Sequence, residues 1–173
     1  MVPLSWPQGN LTLCYNRHMG DGHERGAGLS LVLPLPPGVN NQYATVGGRR
    51  VLSAEARRFK ASVKDRIDNL SFSGGLSEAL RQTLLRSYLS LFIDFYFPTP
   101  MKRDLDGGLK ITQDALCESL GINDNRVVDI HLVKRIDPRN PRIVVQIEAI
   151  AQEEWHFDEE YLYVGEDATS HPR

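Results

Sequence analysis

Two aspartates separated by one residue lie close to a lysine in the stretch MKRDLDGGLK, residues 101–110. In an extended chain alternate side chains point to the same side, so Asp104 and Asp106 are expected to be neighbours. Two adjacent carboxylates raise each other's pKa unless a positive charge lies between them. Mg²⁺ meets this need, because it takes one or two carboxylates and fills its other positions with water and phosphate oxygens. The pattern indicates a metal site, and an ordinary exposed turn rich in aspartate is the alternative.

A third carboxylate further along the chain is within reach of this pair. Asp124 follows a predicted helix of about ten residues, roughly 15 Å long, and the four or so residues after it span at most about 14 Å. The chain can therefore return Asp124 to the start of the helix, although this reach argument only permits the meeting. Asp114 lies four residues after Lys110 on the same side of the helix, which predicts a salt bridge between these two.

Alternation and helical spacing predict the elements that must position these residues. We expect strands at 29–34, 88–97, 126–135 and 142–151 and helices at 53–69, 77–85 and 108–121. Residues 137–141 are expected to join the last two strands as a hairpin. This order of elements predicts an α/β or α+β fold with a mixed sheet packed against helices.

Local signals support several of these boundaries. Ser53 is a candidate N-cap of the first helix, and Gly121 is a candidate C-terminal stop of the third. The loop at 34–50 is rich in turn residues, and its polar side chains could equally contact a ligand or cap a turn; they are Asn40, Asn41, Gln42 and Tyr43.

Length and composition favour one globular domain with two extensions. The chain has 173 residues, of which 41% are hydrophobic and 24% charged, and no apolar run is long enough for a membrane helix. No signal peptide is recognisable at the N-terminus, so we expect a cytoplasmic protein without a membrane partner. Residues 1–28 are predicted to be a flexible extension and 152–173 an acidic tail. Cys14 and Cys117 are far apart in the sequence, and Cys117 is expected to be a small buried hydrophobe.

Charge is distributed unevenly along the chain. The net charge is −2, yet residues 152–167 contain seven acids and no Lys or Arg. Residues 1–151 therefore hold 19 basic and 15 acidic residues. The charge balance of this part is compatible with a nucleic-acid partner but does not by itself indicate one.

The stretch from Lys102 to Lys134 resembles the signature of the RusA-type Holliday junction resolvases, approximately R-D-L-D-N-L-x-K-x-x-x-D-A-L followed by a further Asp and V-V-D. LVLPLPPGVNNQY and LSAEARRFK upstream are also similar to the family's first strand, loop and first helix. The similarity covers residues 29–151 in the family's order, which makes this range the expected nuclease domain. Gly107 and Gly108 depart from the family's Asn and Leu, and two glycines predict a looser backbone.

The resemblance implies roles for individual residues. The first two catalytic carboxylates fall on Asp104 and Asp106, the third on Asp124, and the essential lysine on Lys110. The three aspartates would be metal ligands for Mg²⁺, with Mn²⁺ as a possible substitute. The signature's helical aspartate falls on Asp114.

A homodimer that makes paired, symmetric nicks in four-way junction DNA is the activity that the resemblance implies. Two active sites related by a twofold axis match two symmetric nicks. Phosphate contacts are expected from basic residues along the chain, namely Arg49, Arg50, Arg57, Lys60, Lys64, Lys102, Arg103, Lys134 and Arg135.

Several of these residues allow a second interpretation. The aromatic residues of the 88–97 strand are expected in the core, and His131 on a strand face. DLDGG is also similar to the opening of haloacid-dehalogenase-type phosphatases and to glycosyltransferase D-x-D motifs, but its position and the chain length disfavour both. The main alternative is a protein that keeps the fold, binds junction or duplex DNA and has lost catalysis.

Overall fold

Six strands and three helices follow one another in the computed structural model, which describes residues 27–101 and 104–150. The strands are β1 (Gly28–Pro34), β2 (Tyr43–Val46), β3 (Arg49–Leu52), β4 (Leu89–Phe97), β5 (Val127–Ile136) and β6 (Arg142–Ala149). The helices are α1 (Ala54–Phe72), α2 (Glu78–Arg86) and α3 (Leu109–Leu120). Short 3₁₀ turns occupy Val39–Asn41 and Asp124–Arg126.

The main sheet has four strands in the order β1-β6-β4-β5. β6 is antiparallel to both β1 and β4, whereas β5 runs parallel to β4. The predicted mixed sheet and the mixed α+β class are confirmed. The predicted hairpin between the last two strands is wrong, because β4 lies between β5 and β6. β4 is the most apolar strand, and like β6 it is an inner strand with a partner on each side.

A second, two-stranded sheet lies in the segment that the sequence suggested was a turn-rich loop. β2 and β3 pair antiparallel through a turn at Gly47 and Gly48, whose φ angles are +57° and +75°. Two successive residues with positive φ are typical of a tight hairpin turn, and glycine adopts them without a steric penalty. This hairpin carries Arg49 and Arg50.

The helices begin and end where capping residues direct them. The Ser53 hydroxyl accepts a hydrogen bond from Ala56 N at 3.0 Å, and the Ser77 hydroxyl accepts one from Leu80 N at 3.1 Å. Gly121 ends α3 in the left-handed region, with φ +76°. Both predicted helix ends, at Ser53 and Gly121, are therefore confirmed.

All three helices cover one face of the main sheet and form the core with it. Four residues of α1 at helical spacing are buried, namely Ala56, Phe59, Val63 and Ile67, and the alternating apolar residues of β4 are all buried. The buried residues of α3 include Thr112, Leu116 and Cys117. Burial raises the pKa of the Cys117 thiol to about 11, in agreement with its expected role as a small hydrophobe.

The two ends of the described chain meet at one end of the sheet. Ala149 N donates to Ala27 O at 2.9 Å, and Ile150 N donates to Tyr88 O at 2.9 Å. None of the described helices is long and apolar enough to cross a bilayer. The predicted N-terminal extension, apart from its last two residues, and the acidic tail lie outside the described residues; Gly28 already belongs to β1.

Candidate active site

The acidic turn, residues 104–108, is the last part of the connection between β4 and α3, and it leads directly into α3. Gly107 N donates to Asp104 O at 3.3 Å, and Leu109 N donates to Asp106 O at 2.9 Å. Both aspartates are exposed, and the intervening Leu105 is half-buried against the core. The exposure alternates as expected, although residues 104–108 form a turn and not the extended segment predicted from the sequence.

Asp104 and Asp106 line the same pocket, which has a volume of about 540 Å³. Three segments build it: the acidic turn, the first turn of α3, and the hairpin β2–β3 with the 3₁₀ turn before it. The lining residues are Val39, Gln42, Tyr43, Arg50, Asp104, Asp106, Gly107 and Lys110. Neither aspartate forms an ion pair with another described residue, which leaves both carboxylates available to a cation in the pocket.

Lys110 brings a cation to this pocket from the first turn of α3. Its Nζ lies 3.1 Å from Asp114 Oδ1, so the predicted salt bridge is confirmed. The hydrogen bond and the charge of Asp114 raise the pKa of Lys110, with smaller contributions from Asp124 and Tyr43. The side chain is therefore an ammonium at neutral pH.

Asp124 returns toward α3 but is not among the residues that line the pocket. It opens the 3₁₀ turn Asp124–Arg126, and its backbone oxygen accepts a hydrogen bond from Gln113 Nε2 at 3.3 Å. Its charge makes a small contribution to the raised pKa of Lys110. Within 27–101 and 104–150, no three carboxylate, histidine or cysteine side chains are gathered closely enough to hold a metal ion.

Among the seven predicted DNA-contacting residues that the structure describes, Arg50 is the one that lines the acidic pocket. Its guanidinium carbon lies 4.1 Å from the centre of the Tyr43 ring, a cation–π contact that restrains the side chain. Arg49 is exposed on the same strand. Lys102 and Arg103 lie outside the described residues.

The three predicted DNA-contacting residues on α1 each have a partner. The Arg57 guanidinium donates to Leu52 O at 2.6 Å, Lys60 pairs with Glu118, and Lys64 pairs with Asp68 at 2.5 Å. Exposed ion pairs of this kind are weak and can exchange for a phosphate contact. Their geometry gives no preference for DNA over solvent.

Two further basic residues lie on the edge strand β5. Arg135 Nε donates to Asp94 Oδ2 at 2.9 Å, and Asp94 is only 9% exposed. This ion pair joins Arg135 of β5 to Asp94 of the neighbouring strand β4. Lys134 is exposed, with its ammonium 5.5 Å from the centre of the Phe97 ring.

The aromatic residues of β4 divide between the two faces of the sheet. Phe95 and Phe97 are buried on the helix-covered face, as predicted, and their rings stack at 5.7 Å. Phe92 and Tyr96 are half-buried on the other face, so the expectation of a core position holds only in part for them. His131 lies on that face too, stacked on Phe92 at 4.7 Å, as expected for a strand-face residue.

The two glycines of the acidic turn differ in their surroundings. A Cβ on Gly108 would overlap Pro36 Cγ and approach Phe95 Cε1 within 3.1 Å, whereas a Cβ on Gly107 would meet only Asp104 O at 3.4 Å. Gly108 O also accepts hydrogen bonds from the Thr112 hydroxyl at 2.7 Å and from Thr112 N at 3.2 Å. These contacts restrain the acidic turn at Gly108, although its two glycines predicted a looser backbone.

Gln42 is a site residue that the sequence left ambiguous between a ligand contact and a turn cap. Its side chain is buried, and Nε2 donates to Gly107 O at 3.0 Å. Gln42 follows two asparagines in a turn, and nothing in this local sequence indicates that it contacts Gly107, 65 residues further along the chain.

A scan against protein-family models matches the description Endodeoxyribonuclease RusA over residues 34–148. A search of curated proteins finds no significant match. The matched range begins at the last residue of β1 and contains β2 to β5, nearly all of β6, all three helices and every described residue that lines the acidic pocket. The chain therefore belongs to the RusA family of endodeoxyribonucleases, whose members resolve Holliday junctions.

Proposed function

We propose that this protein is a metal-dependent endonuclease that resolves four-way DNA junctions by paired, symmetric nicks. The observation that carries the proposal is the pocket that unites Asp104 and Asp106 with Lys110 and Arg50. Two acids and two cations around one cavity suit a phosphodiester bound through a metal ion. The site lies in the connection that follows β4 and leads into α3.

Asp104 and Asp106 are the residues that would hold Mg²⁺, with Mn²⁺ as a substitute. Their fit rests on two exposed carboxylates that line one pocket without an ion-pair partner among the described residues. Such a pair matches the oxygen ligands of Mg²⁺, which leaves its remaining positions to water and phosphate. A bound metal ion of this kind polarises the phosphoryl oxygen and activates water. Asp124 remains a proposed third ligand, and its participation requires movement toward the pocket or help from DNA.

Lys110 on α3 and Arg50 on β3 both supply positive charge to the pocket. Phosphoryl transfer places extra negative charge on the phosphate oxygens, and a fixed cation stabilises this charge where it develops. The bond to Asp114 keeps the Lys110 ammonium charged and directed. The contact with the Tyr43 ring restrains the Arg50 side chain, whose fork of donors suits a phosphate.

A homodimer and a cytoplasmic location complete the proposal. Each chain has one acidic pocket in its described part, so two nicks related by symmetry need two chains. The mass of the free protein, measured by light scattering, should be twice the chain mass of 19.5 kDa, and the complex with junction DNA should exceed the mass of the DNA by the same amount. A protein that remains a monomer in both states would contradict the dimer.

The proposed function is tested with a synthetic four-way junction and its matched linear duplex. We expect cleavage of the junction that requires Mg²⁺ or Mn²⁺, with little cleavage of the duplex. Asp104→Asn should lower the cleavage rate by about 100-fold, because it removes a metal ligand. It should bind the junction as tightly as the wild type or more tightly, because one charge that repels phosphate is gone.

Asp65→Asn is the matched control for the loss of one negative charge. Asp65 is exposed on α1 and does not line the acidic pocket. This variant should cleave at the wild-type rate. Equal rates for Asp104→Asn and the wild type would refute the assignment of the acidic pocket as the active site.

A catalytically inactive DNA-binding protein of the same fold is the second candidate. Two observations favour it: the described residues contain no gathered set of three metal-ligating side chains, and glycine replaces the family's asparagine at Gly107. Two carboxylates and Lys110 in one pocket favour the enzyme. The same junction assay separates the two, because a binder would shift the junction in a gel without cutting it at any metal concentration.

A further inference from the structure

Gln42 is one of three buried polar residues in the described part of the chain, with only 5% of its surface exposed. It lies between the 3₁₀ turn Val39–Asn41 and β2, at the inner wall of the acidic pocket. A buried amide has to satisfy its donors within the protein. Its partners therefore indicate which parts of the pocket depend on it.

The side-chain amide joins two segments that are distant in the sequence. Nε2 donates to Gly107 O at 3.0 Å and to Pro37 O at 3.3 Å. Both partners are carbonyl oxygens, so only the NH₂ end of the amide can face them, and this fixes its orientation. The backbone oxygen of Gln42 accepts from Ser53 N at 3.0 Å, which connects the same residue to the start of α1.

The acidic turn needs such an external restraint at Gly107. Glycine populates a wide range of backbone angles, so its conformation in the chain must be fixed by contacts. Gly108 is enclosed by Pro36 and Phe95, but a Cβ on Gly107 would meet only Asp104 O. The bond from Gln42 holds the carbonyl of the Gly107–Gly108 peptide, one residue after Asp106.

We propose that Gln42 is a positioning residue that sets the spacing of the Asp104 and Asp106 carboxylates for a divalent cation, an inference that rests on the proposed function. It acts through the backbone at Gly107 and does not contact the metal or the DNA. Outer partners that orient metal ligands alter metal affinity when they are removed. The residue therefore tunes how much metal the site needs.

Gln42→Met tests this role because methionine keeps a similar volume and removes both donors. We expect the Mn²⁺ concentration for half-maximal junction cleavage to rise by about 10-fold. The rate at saturating Mn²⁺ should recover toward the wild type, and junction affinity without metal should not change. Gln42→Asn keeps the amide on a shorter side chain and should give a smaller rise.

A second readout does not depend on activity. Hydrogen–deuterium exchange should become faster at the amides of Gly107 and Leu109 in Gln42→Met, while the amides of β4 keep their protection. Mn²⁺ affinity measured by calorimetry should fall by a similar factor of about 10. If the wild type does not cleave junctions at all, the proposed function fails, and these two measurements still decide the role of Gln42.

Two control variants separate positioning from general destabilisation. Gln82→Met removes an exposed amide on α2 that donates to Glu78, and Leu84→Ala opens a cavity in the core under the same helix. Neither should move the Mn²⁺ midpoint, although Leu84→Ala should lower stability. A wild-type midpoint and wild-type exchange in Gln42→Met would overturn the inference, as would an equal midpoint shift in Leu84→Ala.

Discussion

Arg50 and Arg49 are adjacent cations on β3, and only Arg50 lines the acidic pocket. We expect Arg50→Ala to lower the cleavage rate at saturating junction by about 10-fold or more, because it removes charge stabilisation at the phosphate. Arg49→Ala should weaken junction binding at low salt without changing that rate. Single-turnover cleavage at saturating protein separates the two effects. Equal losses in both variants would mean that the Tyr43 contact has no role in placing the guanidinium.

Lys110 and Asp114 form an i, i+4 pair whose charge state can be tested by pH. The bond and the charge of Asp114 raise the pKa of Lys110, so the ammonium persists to higher pH than in a free lysine. Asp114→Asn removes the charge and leaves a weaker, neutral acceptor for the hydrogen bond, so it lowers the pKa of Lys110. If cleavage requires the ammonium, the alkaline limb of the kcat/KM profile moves to lower pH in this variant.

The matched control for Asp114→Asn is Asp68→Asn. Lys64 and Asp68 have the same spacing on α1, and Asp68 likewise raises the pKa of its lysine. Breaking this pair should leave the pH profile unchanged, since neither residue lines the pocket. An identical shift in both variants would indicate a general charge effect and not a role for Lys110.

Residue-level prediction from the sequence succeeded where spacing fixes geometry. The four-residue step from Lys110 to Asp114 lies on one helix, so the salt bridge followed from helical geometry alone. Arg135 is different: its partner Asp94 lies on another strand, and strand register decides the contact. The position of Asp124 likewise depends on how α3 packs, which spacing limits but does not determine.

At the scale of elements, the junction between the acidic turn and α3 depends on one glycine. Gly108→Ala would place a methyl group against Pro36 and Phe95, and we expect it to destabilise the fold by about 1–3 kcal/mol. Gly107→Ala meets ordinary contact distances and should change stability much less. Urea unfolding of both variants measures the difference. Equal stabilities would mean that Pro36 and the turn relax freely.

Strand pairing was the main error of the sequence interpretation. β5 and β6 are separated by a short connection, which favours a hairpin, yet β4 lies between them. β4 is an inner strand because distant parts of the chain bury its apolar residues. The local sequence shows the alternation of these residues but not which strands pair with them. The hairpin β2–β3 was missed although its two glycines are a turn signal, because its short strands have no buried residue.

For the whole molecule, the uneven charge predicts how the acidic tail acts. Removing residues 152–173 changes the net charge from −2 to +4. We expect the truncated protein to bind junction DNA more tightly at about 50 mM salt, with the difference largely lost at about 200 mM salt, because screening removes long-range repulsion. The cleavage rate at saturating DNA should not change. A faster rate at every salt concentration would instead indicate that the tail blocks the active site.

The hydrogen bond between Ala149 and Ala27 places both ends of the described chain at the far end of β4 from the acidic turn. The nine residues of β4 span eight steps of about 3.3 Å, which separate the two regions by roughly 26 Å. A short peptide linking residues 27 and 150 should permit circular permutation, with new termini opened in the exposed turn at Gly47 and Gly48. Dyes, surface tethers or a second covalently fused copy attached at either end would start well away from the pocket, which makes this chain suitable for single-molecule observation of one junction at a time.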